Sequence, residues 1–201
     1  MGRRTETTDV DWQDGTWTNA PASVERDGDH LLVTAREGSD AWRETSYGFV
    51  HDTEHALLVD FPQDSAVEVT FLLDLSEQFD QAGLFVRVDD RTWTKAGVER
   101  SDGADSLGAV VTRGRSDWSL APVADWAGRR VTIRGSRVDD ALTIRARVDD
   151  EPWRLVRVSP LDPEATVAAG PFCCAPTRAG LRVRFTGWRS TPPDAGLHPD
   201  D

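Results

Sequence analysis

Alternation of apolar and polar residues with period two runs through nearly every patterned segment of this chain, while the 3.6-residue period of an amphipathic helix is almost absent. That one feature restricts the chain to all-β folds. In AVEVTFLLDL (66–75), Val67, Val69, Phe71 and Leu73 share a face. In ALTIRARVD (141–149), Leu142, Ile144, Ala146 and Val148 oppose Thr143, Arg145 and Arg147. In GLRVRFTGW (180–188), Leu181, Val183 and Phe185 alternate with Arg182 and Arg184. Each reads as an antiparallel strand with one buried face. Turn signals separate the runs: ERDGDH (25–30), VDDRT (88–92), RSDGADS (100–106), RVDDA (137–141) and VDDEPW (148–153). Roughly a dozen strands at this spacing predict two antiparallel sheets packed face to face, a β-sandwich.

The 201 residues fit one such domain, assigned to residues 1–188. The closing RSTPPDAGLHPDD (189–201), rich in Pro and Asp, predicts a disordered tail. Eight Trp and seven Phe supply bulky core material to a chain that is only 38% hydrophobic. A formal charge of −12 speaks against general attraction to nucleic acid or to an anionic membrane surface, because both rely on clustered cations. The start MGRRTETTDVDWQDG has no apolar signal-peptide core, and no run approaches the ~20 apolar residues of a membrane span. The expectation is a cytoplasmic protein. Cys173 and Cys174 are adjacent in GPFCCAPT, where a mutual disulfide would be strained; they read as free thiols, small and buried in a strand.

The densest constellation is a hairpin. FDQAGLFVRVD (79–89) and TWTKAGVER (92–100) are joined by a tight turn at Asp89, Asp90 and Arg91. Ala82, Leu84, Val86 and Val88 form one face with Thr94, Ala96 and Val98. The other face carries Gln81, Arg87, Trp93, Lys95 and Glu99, with Gly83 and Gly97 leaving room for something to approach the backbone. An aromatic plate, an amide, two cations and a carboxylate suit a polar, hydroxyl-rich or partly anionic small ligand; the same face would also serve as a solvated outer surface with a Lys95–Glu99 ion pair. Lys95 is the only lysine among 23 basic side chains. A compact ammonium kept at one position points to a place where a guanidinium fork is too large or too rigid.

The ordered blocks DAWRETSYGFVHDTEHALL, FDQAGLFVRVDDRTWTKAGVE, VVTRGRSDWS and AAGPFCCAP resemble a bacterial and fungal family typified by the yeast regulation-of-enolase protein, over roughly residues 10 to 188. The resemblance implies a concanavalin A-like sandwich of the lectin and glucanase type, a jelly roll whose concave sheet is where sugars bind. It implies groove positions at Trp42, Tyr47, His51 and His55 from the first block, Gln81, Lys95 and Glu99 from the hairpin, and Arg113, Asp117 and Trp118 from the third. Arg87 and Trp93, near the turn, are weaker candidates.

HDTEH (51–55) matches a zinc-protease pattern, but its flanks TSYGFV and ALLVDF read as strands, whereas that chemistry needs both histidines on one helical face. No metal site is expected. Glycoside hydrolysis needs two carboxyls across the scissile bond. Glu99 stands alone on its strand, so a partner such as Asp117 or Glu44 would come from elsewhere, and Lys95 beside Glu99 is expected to keep it ionised. With no G-x-S-x-G elbow, P-loop or dinucleotide fingerprint, no cofactor is expected. Trp12, Trp17, Trp126, Trp153 and Trp188 are assigned to packing. Three functions stay open: a carbohydrate- or polar-metabolite-binding protein, a glycan-processing enzyme using Glu99 as base or nucleophile, and a regulatory protein that contacts a metabolic enzyme.

Overall fold

A computed structural model describes residues 6–198. The first five and last three residues of the sequence, including the start of the assigned domain and the end of the expected tail, lie outside the described residues. Nine strands run up to and include the first arm of the central hairpin: β1 (Thr8–Asp9), β2 (Thr16–Trp17), β3 (Ser23–Asp27), β4 (His30–Thr34), β5 (Ala41–Arg43), β6 (Val50–Asp52), β7 (His55–Asp60), β8 (Ser65–Leu72) and β9 (Gln81–Asp89). Eight follow: β10 (Thr92–Ser101), β11 (Ala104–Arg113), β12 (Arg115–Pro122), β13 (Arg130–Val138), β14 (Ala141–Val148), β15 (Arg154–Pro160), β16 (Ala168–Cys174) and β17 (Arg182–Thr191). A single 3-10 turn, Ala124–Trp126, breaks the series.

The strands form two antiparallel sheets, as the alternation predicts. Sheet I runs in the order β15, β14, β13, β8, β17, β4, β3, with β1 added beside β17. Sheet II runs β12, β11, β10, β9, β16, β7, β2. In both, a strand made late in the chain sits in the middle: β17 between β8 and β4, and β16 between β9 and β7. The inward faces are those read from the sequence. Val67, Val69, Phe71 and Leu73 meet Leu84, Val86, Ala96 and Val98 across the interface, with Trp126 and Trp188 buried among them. Each fully buried large apolar side chain stabilises the fold by about 1.5–3 kcal/mol.

A second, smaller apolar cluster covers the other face of sheet II. Phe85, Trp93, Val110, Phe172 and Cys174 point away from the main core and are buried beneath Ala41 and Trp42 of β5, with Ala56 and Leu58 of β7. The β5–β6 pair therefore lies across sheet II as a roof. It is pinned by the Arg43 N–H donating to Ser116 Oγ at 2.9 Å and by the Arg43 guanidinium, which reaches Asp52 at 3.1 Å and the Asp90 carbonyl at 3.3 Å.

The closing stretch, for which composition predicts disorder, is described as far as residue 198. β17 continues through Thr191, and beyond it Asp194 accepts hydrogen bonds from Arg134 at 2.8 Å and Arg145 at 2.9 Å on the outer face of sheet I. Composition alone favours disorder in a Pro- and Asp-rich stretch; Asp194 within it supplies a carboxylate to two shielded guanidiniums.

Candidate functional site

Hairpin register decides which side chains can meet. β9 and β10 pair Gln81 with Glu99, Gly83 with Gly97, and Phe85 with Lys95, so Gln81, Lys95 and Glu99 rise from one face of sheet II. The glycines serve a different purpose from the one expected. A Cβ on Gly83 would fall 2.1 Å from the Ala96 carbonyl, and one on Gly97 would fall 2.1 Å from that of Ala82. The space they leave is taken by the neighbouring strand rather than by a ligand.

Above this face, the roof, strands β9 to β12 and loop residues that include Gly38, Phe79 and Thr177 line an open-sided cavity of about 340 Å³. Asp40, Gln81, Lys95 and Glu99 form its polar part; Trp42, Tyr47, Phe49, His51 and Trp118 form an aromatic wall. Lys95 is buried, with its ammonium donating to Asp40 Oδ1 at 2.9 Å and to Gln81 Oε1 at 2.8 Å. Gln81 Nε2 closes the triangle to Asp40 Oδ1 at 3.3 Å, and the Ala41 N–H adds a fourth contact at 2.8 Å. The single lysine thus fills a space built for one small cation and two acceptors, where five guanidinium donors would find too few partners.

The two carboxyls of the cavity are shifted in opposite directions. Burial alone would raise the pKa of Asp40, but the charge and hydrogen bond of Lys95, helped by Ala41 and Gln81, outweigh it and hold the carboxyl below its ordinary value. For Lys95, burial favours the neutral form, yet the Asp40 carboxylate prevails and the pKa is raised. Glu99 makes no hydrogen bond or ion pair with the described residues, and burial pushes it up to about 7 against the partial opposition of Lys95. The expectation that Lys95 keeps Glu99 ionised is therefore corrected: its ammonium is committed to Asp40, and desolvation decides the state of Glu99. Cys174 nearby is a neutral thiol, pushed well up by burial.

Three expected groove residues are not brought into this cavity. His55 is buried, its Nε2 accepting the Arg36 N–H at 3.0 Å and its Nδ1 meeting the Asn19 carbonyl at 3.0 Å; burial lowers its pKa, and both nitrogens are engaged in holding loops. Asp117 turns outward to Arg157 at 2.9 Å, and Arg113 reaches the Pro160 carbonyl. Strand alternation explains both: Val110 and Trp118 point into the cavity, and residues an odd number of positions away point elsewhere. Glu44, the other candidate partner for Glu99, faces Arg115 at 3.7 Å. His51 and His55 lie on different strands, β6 and β7. The weaker candidates sit beyond the roof, Trp93 stacked on Phe85 at 5.4 Å and Arg87 paired with Asp90.

The residues that sequence reading missed are Asp40 and Phe49. Asp40 lies in EGSDAW, an aperiodic stretch, and meets Lys95 from 55 positions away. Its one local signal was its place at the head of the DAWRETSYGFV block.

Comparison with known proteins fits this architecture. The pattern of a family described as Protein of unknown function (DUF1349) matches residues 17–193. Regulation of enolase protein 1 of Saccharomyces cerevisiae is 37% identical over 188 residues, spanning 94% of each chain. A crystal structure of a functionally unknown protein from the same yeast superposes with a TM-score of 0.86 at 36% identity, covering 92% of this chain and all of that one. Lectin I-B4 of Griffonia simplicifolia shares the architecture at a TM-score of 0.53 and 12% identity, over 89% of this chain and 93% of the lectin. The sandwich is thus of the jelly-roll, concanavalin A-like type.

Proposed function

The chain belongs to the family described as Protein of unknown function (DUF1349), and from that premise, which supplies a fold and no reaction, we propose that the roofed cavity of sheet II binds a carbohydrate or a similarly hydroxyl-rich metabolite. One observation carries this reading: an aromatic wall faces, across about 340 Å³, a fixed Asp40–Lys95–Gln81 triangle and a carboxyl that has no partner of its own. Sugars need both surfaces, an apolar plate for the ring face and fixed polar groups for the hydroxyls. Asp40 Oδ2 and the Glu99 carboxyl are the open positions, since all three bonds to Asp40 end on Oδ1. The shared fold with a lectin adds the architecture alone.

Titration against a glycan and sugar-phosphate panel, read through tryptophan fluorescence, tests this. A saturable change for at least one compound that is weakened tenfold or more in Trp118→Ala and in Glu99→Gln supports it; a blank panel, or binding that neither substitution alters, overturns it.

A second reading has its own support. A carboxyl near pKa 7 and a carboxylate held ionised in one cavity are the two states that acid–base chemistry at a glycosidic oxygen requires. In this reading Glu99 is the proton donor rather than base or nucleophile. Turnover of nitrophenyl glycosides that disappears in Glu99→Gln would establish it, and intact substrate after prolonged incubation would remove it.

A further inference from the structure

The roof divides the face of sheet II that it covers. On one side lies the candidate cavity; on the other lies an open trough of about 960 Å³ lined by Asp52, Glu54, Phe85, Arg87 and Trp93, among others. The two share no lining residue, because Trp42 and Arg43 pack between them onto Phe85, Trp93 and β12. A linear ligand in the cavity therefore cannot run on across the sheet past Trp42 and Arg43 into the trough. It has to stop against the roof.

An exposed aromatic path leads outward from the cavity, over the loop that joins β5 to β6. That loop carries Tyr47 and Phe49 at 58% and 41% exposure, with rings parallel within 10° at 5.3 Å. Tyr47 leans on Trp42 at 5.6 Å and Phe49 on His51 at 4.5 Å, so the pair prolongs the aromatic wall into solvent. The loop is built to stay in place. Glu44, Ser46 and Gly48 all adopt positive φ, and the chain closes on itself through Glu44 N–H to the Phe49 carbonyl at 2.8 Å and Trp42 Nε1–H to the Thr45 carbonyl at 3.0 Å. Exposed rings on a pre-organised loop beside a polar cavity suit a second sugar ring better than a protein, which would need a broader apolar surface.

We infer that the site takes one terminal unit of a linear carbohydrate in the cavity and holds the next unit on the Tyr47–Phe49 platform. This rests on the carbohydrate reading above and names its ligand as a chain end. The test measures affinity for xylo-, cello- and malto-oligosaccharides of one to six units, by calorimetry on the full chain. Within the series that binds, affinity is expected to rise about tenfold from one unit to two or three, and then to level off. In Phe49→Ala and Tyr47→Ala the ratio of trisaccharide to monosaccharide affinity falls to near one; in Glu99→Gln all lengths weaken together and the ratio stands. Affinity that keeps climbing to six units, or a ratio that survives both aromatic substitutions, overturns the chain-end inference while leaving carbohydrate binding intact. Failure of every length to bind refutes the carbohydrate reading itself, as would occupation of the Tyr47–Phe49 surface by a protein with no effect of sugars.

Discussion

Two clusters of shielded charge lie on the outward faces of the two sheets, and they differ in what is left over. On sheet I, Arg134 donates to Glu68 at 2.9 Å, Asp194 at 2.8 Å, Thr191 at 2.6 Å and the Pro192 carbonyl at 2.7 Å, while Arg145 occupies the second oxygen of Asp194. On sheet II, Lys95 and Asp40 satisfy each other and Gln81, and Glu99 beside them makes no hydrogen bond or ion pair with the described residues. The first network is closed, which marks it as structural. The second is open at one group, whose half-buried carboxyl is left to water or to a ligand.

Breaking the closed network should have the largest effect. Arg134→Met leaves Glu68 shielded and unpaired, and a loss of about 3–5 kcal/mol is expected in urea unfolding. A loss near zero would mean that the C-terminal segment does not hold the network together.

The open network makes a prediction of opposite sign. Glu99 has a folded-state pKa raised to about 7, so its contribution to stability is fully present below its unfolded value near 4.5 and is lost as pH rises through 7. Removing the titration with Glu99→Gln should leave stability unchanged near pH 4 and raise it by on the order of 2–3 kcal/mol at pH 8. Parallel pH–stability curves for the two proteins would show that Glu99 is partnered after all.

Exchanging the cation sharpens the contrast further. Lys95→Arg forces a larger, planar group into a space with two acceptors, and a loss of about 1–3 kcal/mol with weakened ligand binding is expected. Unchanged melting and binding would reduce the single lysine to an accident of composition. The smallest effect belongs to the exposed pair at the rim: Asp117→Asn, which releases Arg157, should change stability by less than about 0.5 kcal/mol.

Legibility in the sequence follows the range of the interactions. The faces of β8, β14 and β17 could be read because alternation is a local property, and Gln81, Lys95 and Glu99 fell on one face for the same reason. Asp40 could not be read, because nothing within its own stretch says that it will meet a lysine two strands of sheet II and 55 residues away. The state of Glu99 followed from this omission. With Asp40 unseen, Lys95 was free to be assigned to Glu99. Asp194 could not be read either, since its partners Arg134 and Arg145 lie on other strands, far away in the sequence.

The central position of β17 has a consequence for how the protein comes into being. Until Arg182–Thr191 has left the ribosome, β4 and β8 have no common neighbour, and sheet I exists only as two unjoined halves. The growing chain must carry that edge of β8, with Val69 and Phe71, unpaired from the making of Leu72 to that of Arg182. The joining of sheet I thus waits on a single strand, and a chain halted before Arg182 would leave β4 and β8 without the neighbour they share.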